Sequence, residues 1–470
     1  MTTLVRYEAI VIGAGPAGTA AAIRLARLGF DVALVERAAF PRSHVGICIA
    51  DQTLALLDYL WLEAPFRAAG FWRRKITAVR WGSPELRFVE QAGYHVDRAK
   101  LDQLLVDRAR DEGVAIYQPA RIEQVSLSGA DGWNLRLVSE GRSISLTCDF
   151  LVDAAGRRSG LPGRKILDGP PLIALHADWR LERPAHFDGL IEAGTDAWAW
   201  YAQTQDDRAI VSIFADPRDA RSGSRDQLQA TYHRLLQQFP VLRDAVGGVP
   251  CSSVRACDAT SGHSVEPVGS RHIRIGDACM SVDPLSSQGV HLALQSGIQS
   301  AIIINTLLHK PANAELAMQF FRDRIKERVE QFSIRMRTEY VNGAPNSGQA
   351  FWSRRADGAS FDAVGEPALR LDAIPNHAGL ELALERSVAI TRGPVIAGDF
   401  VEQHAMLTHA NVARPVAFLD GADLAMLLAR LPERFAVRDL PRLWQDQLSA
   451  ATTQRIAEWL WQRSIFVEAA

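Results

Sequence analysis

Cysteine is scarce in this chain of 470 residues: there are five, and no two form a CxxC pair. That excludes a zinc knuckle and a thioredoxin-type redox pair. The odd count fits a reducing compartment and leaves a Cys251–Cys257 bridge open. Excess charge is lacking too. Lys plus Arg number 52 against 54 Asp plus Glu, a formal charge of −2, so no basic surplus points to nucleic acid or an anionic membrane. Long hydrophobic runs are also missing. SAIIINTLL (300–308) is too short to span a bilayer. YEAIVIGAGPAG (7–18) lacks the layout of a signal peptide. No internal repeat or low-complexity tract is present. What remains is ordinary globular composition, 47% hydrophobic and 23% charged, long enough for about three units. A cytoplasmic protein with no membrane contact is expected.

The N-terminus carries the first strong pattern. EAIVIGAGPAGTAAAIRLARLGFDVALVER reads as strand, glycine-rich turn, helix and second strand. Gly13, Gly15 and Gly18 supply G-x-G-x-x-G. The first allows the tight turn, the second lets a pyrophosphate approach the backbone, and the third lets helix and strand pack closely. The helix that follows offers free N–H groups and a positive dipole end to phosphates. Glu36 closes the second strand where a carboxylate accepts hydrogen bonds from a ribose. That favours FAD or NAD over a 2′-phosphorylated cofactor. Ala17, within the turn, and Arg37, beside Glu36, complete the expected set.

Three later segments narrow the choice by resemblance. FLVDAAGRRSG (150–160), with Asp153 and Gly156, resembles the D-x-x-G motif of single-component flavoprotein hydroxylases and their relatives. IRIGDACMSVDPLSSQGVHLALQSG (273–297) is similar to their second flavin fingerprint, with Gly276–Asp277, Asp283–Pro284 and Gly289 in place. GYHVDRAKLDQLL (93–105) resembles the segment that carries Arg98 to the cofactor. The resemblance implies FAD, with Asp277 on the ribityl chain and the helix that starts at Gly289 aimed at the flavin pyrimidine. Gly46, between His44 and Cys48, would pass near the isoalloxazine. It also implies an α/β fold: a Rossmann-like FAD-binding domain with an inserted β-sheet (α+β) substrate domain and a mainly helical C-terminal region. The expected boundaries are 1–75, 95–165 and 265–340 for the FAD-binding domain, 76–94 and 166–264 for the substrate domain, and 345–470 for the C-terminal region. No second G-x-G-x-x-G with strand–helix context follows. Reduction is therefore expected from NAD(P)H docking transiently or from a partner flavin reductase.

The same core serves several chemistries. The neighbourhood of Cys48 and the second fingerprint resemble the halogenase branch. Halogenases carry W-x-W-x-I-P and a lysine that steers hypohalous acid. Here Trp198 and Trp200 are kept, but Ala202 and Gln203 stand where Ile-Pro would be, and Lys75 lies in a comparable region. Over its whole length the chain resembles the flavin monooxygenases that mature quinohemoprotein amine dehydrogenases. That likeness implies hydroxylation of a tryptophan side chain in a protein or peptide precursor through a flavin C4a-hydroperoxide, in cysteine tryptophylquinone biogenesis. Alternatives are a flavin-dependent halogenase, a small-molecule aromatic hydroxylase, and a non-catalytic flavin-bound accessory protein. Trp198 and Trp200 share one face of a predicted strand and would wall an aromatic pocket. His176 and Asp178, two apart on another strand, are candidates for proton handling. No metal-ligand spacing is present, so no metal is expected. Helices are expected over 51–71, 99–112, 289–308 and 312–337, with a loop at 342–375.

Overall fold

The computed structural model describes residues 4–42, 48–129, 132–218, 224–248, 250–344, 349–357, 369–370, 372–375, 380–445 and 448–469. Met1–Lys310 with Phe321–Ala359 form one compact unit, and Pro311–Phe320 with Ser360–Ala470 a second. The expected C-terminal boundary at 345 thus falls fifteen residues short of Ser360.

The first unit opens with strand β1 (Leu4–Ile12), helix α1 (Pro16–Arg27) and strand β2 (Val32–Val35), paired in parallel from Ala9↔Val32 to Ile12↔Val35. β2 is buried along its whole length, as a strand covered on both faces should be. On the other side β1 pairs in parallel with the long strand Arg142–Asp153, which in turn pairs with His272–Arg274. Ala115–Tyr117 extends the sheet beyond β2. Helix α2 (Arg98–Asp111) precedes that last strand, and helix α3 (Gly289–His309) packs along α1. The close α1–α3 approach needs Gly297, where a Cβ would collide with the Ala17 carbonyl and the Ala20 methyl.

A second eight-stranded sheet is built from β3 (Cys48–Ala50), β4 (Trp72–Arg80), β5 (Arg87–His95), β6 (Ile173–Arg180), β7 (Gly189–Ala193), β8 (Ala197–Gln205), β9 (Arg208–Ala215) and β10 (Arg255–Asp258). Their spatial order is β10-β6-β9-β8-β7-β4-β5-β3. Alternation divides the two faces. Leu175, Ala177, Trp179, Ala199, Tyr201, Val211 and Ile213 face one core, with Tyr232, Leu235 and Phe239. Ala174, Trp198, Trp200, Ala202 and Phe214 face the other. This sheet corrects two expectations. The boundary at 75/76 lies inside β4, and β3 belongs to this sheet through the antiparallel pairs Cys48↔His95 and Ala50↔Gly93. A strand of three residues carries no periodic signal, so only pairing reveals it. The helix expected over 51–71 is two short helices, Leu54–Tyr59 and Glu63–Ala68. They are broken at Trp61, whose φ of 56° no helix accommodates.

The helices expected at the C-terminus include Leu424–Leu428 and Ala450–Gln462. With them stands a long hairpin, Ala389–Ala397 against Phe400–Thr408, that the helix-weighted reading did not anticipate. Leu382, Leu407, Leu427, Trp444, Leu460, Trp461 and Phe466 give this unit a core of its own. All five cysteines are free thiols, so Cys251 and Cys257 are not bridged. Among the described residues no helix is long and apolar enough to cross a membrane.

Candidate functional site

Three segments distant in sequence meet at the carboxyl end of β1. Gly13 takes a φ of 101°, and a Cβ there would collide with the Ala154 carbonyl. A Cβ on Gly18 would collide with the Gly13 carbonyl and also approach Ala154. The Ala154 amide donates to the Ile12 carbonyl at 2.9 Å, and the Ile275 amide to the Asp153 carbonyl at 2.9 Å. Gly276, with φ 54°, lies against Ala17, and its amide donates to Ser296 Oγ at 3.0 Å. The opening turn, the 153–156 loop and the Gly276–Asp277 segment therefore share one place.

That place is open where a ligand needs it to be. Among the described residues nothing lies within 4 Å of a Cβ built on Gly156 or Gly289, and on Gly15 the nearest atom is Arg42 Nη2 at 3.7 Å. Both helices that point here start without a side-chain cap or an acidic residue in the first turn: α1 after Gly15, with Pro16 at its first position, and α3 after Gln288. Their free N–H groups suit anionic or hydrogen-bond-accepting groups. Pro284 opens the short turn before α3. Asp283 caps that turn, accepting from the Leu285 amide at 3.0 Å.

The acidic and basic side chains divide their work. Buried Glu36 accepts from the Ala14 amide at 2.9 Å and the Ala38 amide at 2.8 Å, and pairs with Arg42 at 3.2 Å. Arg42 also reaches Asp102 at 3.5 Å, and Asp102 holds buried Arg98 at 2.9 Å. A chain of alternating charge thus runs from the glycine turn into α2. Arg37 is exposed, and Arg42, which the sequence reading missed, is the arginine beside Glu36 and Gly15. Its position seven residues past β2 carries no motif. Asp153 spends its carboxylate on the loop itself, accepting from the amides of Ala155, Gly160 and Leu161 and from the Ser159 hydroxyl. It shapes the cradle from beneath. Asp277 is half-exposed, with Arg157 Nε at 3.5 Å, while Lys165 Nζ donates to the Asp277 carbonyl at 2.9 Å. Gly46 and His44 lie outside the described residues.

The second sheet presents its aromatic face to the same neighbourhood, for Cys48 and Leu285 pack against it. Trp198 is locked in place. It stacks on Phe214 at 3.9 Å, and its Nε1 donates to Tyr340 Oη at 3.3 Å. Tyr340 in turn donates to Asp283 at 2.9 Å. Burial drives the Asp283 carboxyl up, against the Leu285 amide and Tyr340, and drives the Tyr340 phenol well above its usual range. Trp200 follows on the same face, in register with Ser212, which is in register with His176 and then Arg255. The strand spacing of about 4.8 Å puts Trp200 and His176 roughly 10 Å apart on one row. Asp178 lies on that face one rung out, half-exposed and paired with Arg255 at 3.2 Å. Lys75 is exposed, at a bulge in β4, and the buried cation here is Arg74. Its Nη1 donates to Cys48 Sγ at 3.0 Å and its Nε to the Gln91 carbonyl at 3.2 Å. Burial pushes the Cys48 thiol up, with Arg74 and Ser287 acting the other way.

Known proteins resemble this chain in sequence and fold. Residues 6–165 match the FAD binding domain family. The solved structure of the peptidyl tryptophan dihydroxylase QhpG, essential for tryptophylquinone cofactor biogenesis, is 27% identical. It covers 98% of this chain and 99% of that one, with a TM-score of 0.73. The chain carries an FAD-binding domain and is similar along its length to flavin-dependent halogenases and hydroxylases. The flavin-dependent halogenase CmlS shares the fold at 20% identity, with a TM-score of 0.78 over 99% of this chain and 96% of that one. The tryptophan 2-halogenase of Chondromyces crocatus is 28% identical over 340 residues, 67% of this chain, and the match spans 64% of that halogenase's length. The open cradle and the uncapped helix starts fit FAD, for which Gly15 and the start of α1 would take the pyrophosphate, Asp277 the ribityl chain and the start of α3 the flavin ring.

Proposed function

We propose that the protein oxygenates the indole ring of a tryptophan side chain presented in a peptide or protein precursor, as a step in building a quinone cofactor. What supports this reading is the end-to-end likeness to a peptidyl tryptophan dihydroxylase, through both units of the chain. FAD, once reduced, supplies dioxygen activation and an electrophilic oxygen atom. The chain's own residues do the rest. Trp200 offers a flat aromatic surface beside the loop that leads into α3. The Trp198–Tyr340–Asp283 hydrogen bonds fix that loop against the second sheet, so the flavin cradle and the substrate face keep one spacing. Apolar neighbours, Leu285, Phe214 and Ile191 among them, keep water from the reacting ring. His176, within the row, and Asp178, one rung out and half-exposed, are the groups that would take up a ring proton. Electrons come from NAD(P)H or from a partner reductase, for want of a second dinucleotide-binding turn.

Halogenation is the second reading, favoured by the paired tryptophans. It is disfavoured at Lys75, which is exposed, while the buried cation beside it is an arginine. The test is one incubation: FAD-loaded protein, a chemical or enzymatic flavin reductant, a tryptophan-containing peptide, and isotopically labelled dioxygen with chloride present. A gain of labelled oxygen mass on the tryptophan is expected. A chloride-dependent mass gain would replace oxygenation with halogenation, and an unchanged peptide despite flavin reoxidation would remove both.

A further inference from the structure

Among the described residues, two buried polar atoms on the Trp200 face have no hydrogen-bond partner: His95 Nε2 and Thr77 Oγ1. Both residues are only about 1% exposed. Buried polar groups without partners are rare and costly, so a pair of them in one place calls for an occupant. Their neighbours are already engaged. Arg74 donates to Gln91 and Cys48, and Asp188 accepts from Trp72 Nε1 and from the amides of Lys75 and Ile76.

The chemistry of His95 is fixed by its other nitrogen. Nδ1 lies 2.8 Å from the Gln203 carbonyl. A carbonyl only accepts, so Nδ1 carries the proton and Nε2 is a bare lone pair. Burial pushes the imidazole down to about 4, past the opposing pull of that carbonyl. The ring is therefore neutral at working pH and can only accept at Nε2. Thr77 comes from β4, in register with Gly189 of β7. A Cβ on Gly189 would lie 3.4 Å from Thr77 Oγ1 and 3.7 Å from His95 Cε1, so both side chains border the position where that glycine has no side chain. Trp200 meets the His95 ring edge-on, with centroids 6.2 Å apart.

We propose that His95 Nε2, with Thr77 Oγ1 beside it, accepts the ring N–H of an indole held against Trp200, and so selects tryptophan over aromatic rings that lack this donor. An indole nitrogen is a donor only, the complement of a nitrogen that only accepts. Phenyl and phenol rings place no N–H there. His95 is thus a positioning and specificity residue. It takes no part in electron or oxygen transfer, and the inference rests on the tryptophan reading above.

The test separates the two. Oxidised, FAD-loaded protein is titrated with a tryptophan peptide and with the same peptide carrying 1-methyltryptophan, and binding is followed by the change in flavin absorbance. The unmethylated peptide should bind roughly tenfold to hundredfold more tightly, because methylation removes the donor and leaves a buried acceptor unpaired. In His95→Leu the ratio should fall to about one, with FAD content and melting temperature recorded alongside. In Thr77→Val, which keeps the shape, it should fall in part. If His95→Leu fails to fold, the wild-type ratio and Thr77→Val still decide. Equal binding of both peptides by the wild type overturns the proposal, and would assign the two atoms to an ordered water. Failure of the unmethylated peptide to bind overturns it as well. Discrimination without any oxygen transfer would uphold His95 and remove the oxygenation reading instead.

Discussion

Gly15 is the position where the ligand, and not the fold, should feel a side chain. Its φ of −76° is ordinary for any residue, and a Cβ there meets nothing nearer than Arg42 Nη2 at 3.7 Å. Gly15→Val loses some of glycine's advantage at the helix start, a few tenths of a kcal/mol to about 1. It recovers about 0.4–1 kcal/mol by stiffening the unfolded chain. The net change stays within about 1 kcal/mol, which is roughly 2–4 °C in melting temperature for a unit of this size. FAD should pay the full cost. The two methyl groups stand where a pyrophosphate approaches the uncapped start of α1. Losing two charge-assisted N–H bonds, each worth about 1.5–3 kcal/mol, weakens binding about 10²- to 10⁴-fold. Purified Gly15→Val should be colourless, with the melting temperature of wild-type apoprotein, and calorimetric titration with FAD should give the affinity loss directly. Gly18→Val, whose side chain would collide with the Gly13 carbonyl, should fail to fold at all. A yellow Gly15→Val protein that holds stoichiometric flavin, or one that unfolds as Gly18→Val does, would refute this placement of the pyrophosphate.

Four further outcomes follow from the same geometry. Asp277→Ala should leave the protein folded and cut FAD affinity by about 10- to 100-fold in the same titration, since one charge-assisted hydrogen bond is removed from a half-exposed site. Tyr340→Phe takes an acceptor from Trp198 and a donor from buried Asp283. It should cost about 1–3 kcal/mol, read as a lower urea midpoint. His95 is harder to protonate in the folded state, at about 4, than in the unfolded chain. Its contribution is therefore intact above about pH 6.5, the unfolded value, and is lost as pH falls, reaching about 3 kcal/mol near pH 4. The pH slope of the urea midpoint should be shallower in His95→Leu, and an unchanged slope would contradict the buried neutral ring. Lys75→Ala, at an exposed site, should leave flavin-dependent turnover within about twofold, and a chloride-dependent product that vanishes with it would mark a halogenase.

The nucleotide-binding half was legible because its signals are local. A strand buried on both faces, three glycines at fixed spacing and a terminal acid each report on neighbours a few residues away, and the structure places them as a βαβ unit around Gly13–Gly18. The second fingerprint was legible through its resemblance to the flavoprotein motif. Arg42 and β3 were not, because each is defined by a partner far off in the chain: Glu36 and Asp102 for the one, His95 for the other. Lys75 and Arg74 are adjacent in sequence and alike in charge. Only the β4 bulge and the pairing of Arg74 with Gly93 decide which is buried.

Local spacing therefore determined that this chain carries a dinucleotide-type glycine turn, because backbone approach to a phosphate demands particular residues at particular steps, and resemblance added the two flavin-type motifs. Cross-strand register, which no single segment encodes, decided the rest. It set Trp200, Ser212 and His176 on one row, turned Asp153 into a loop anchor, and left His95 Nε2 and Thr77 Oγ1 beside Gly189 without a hydrogen-bond partner among the described residues.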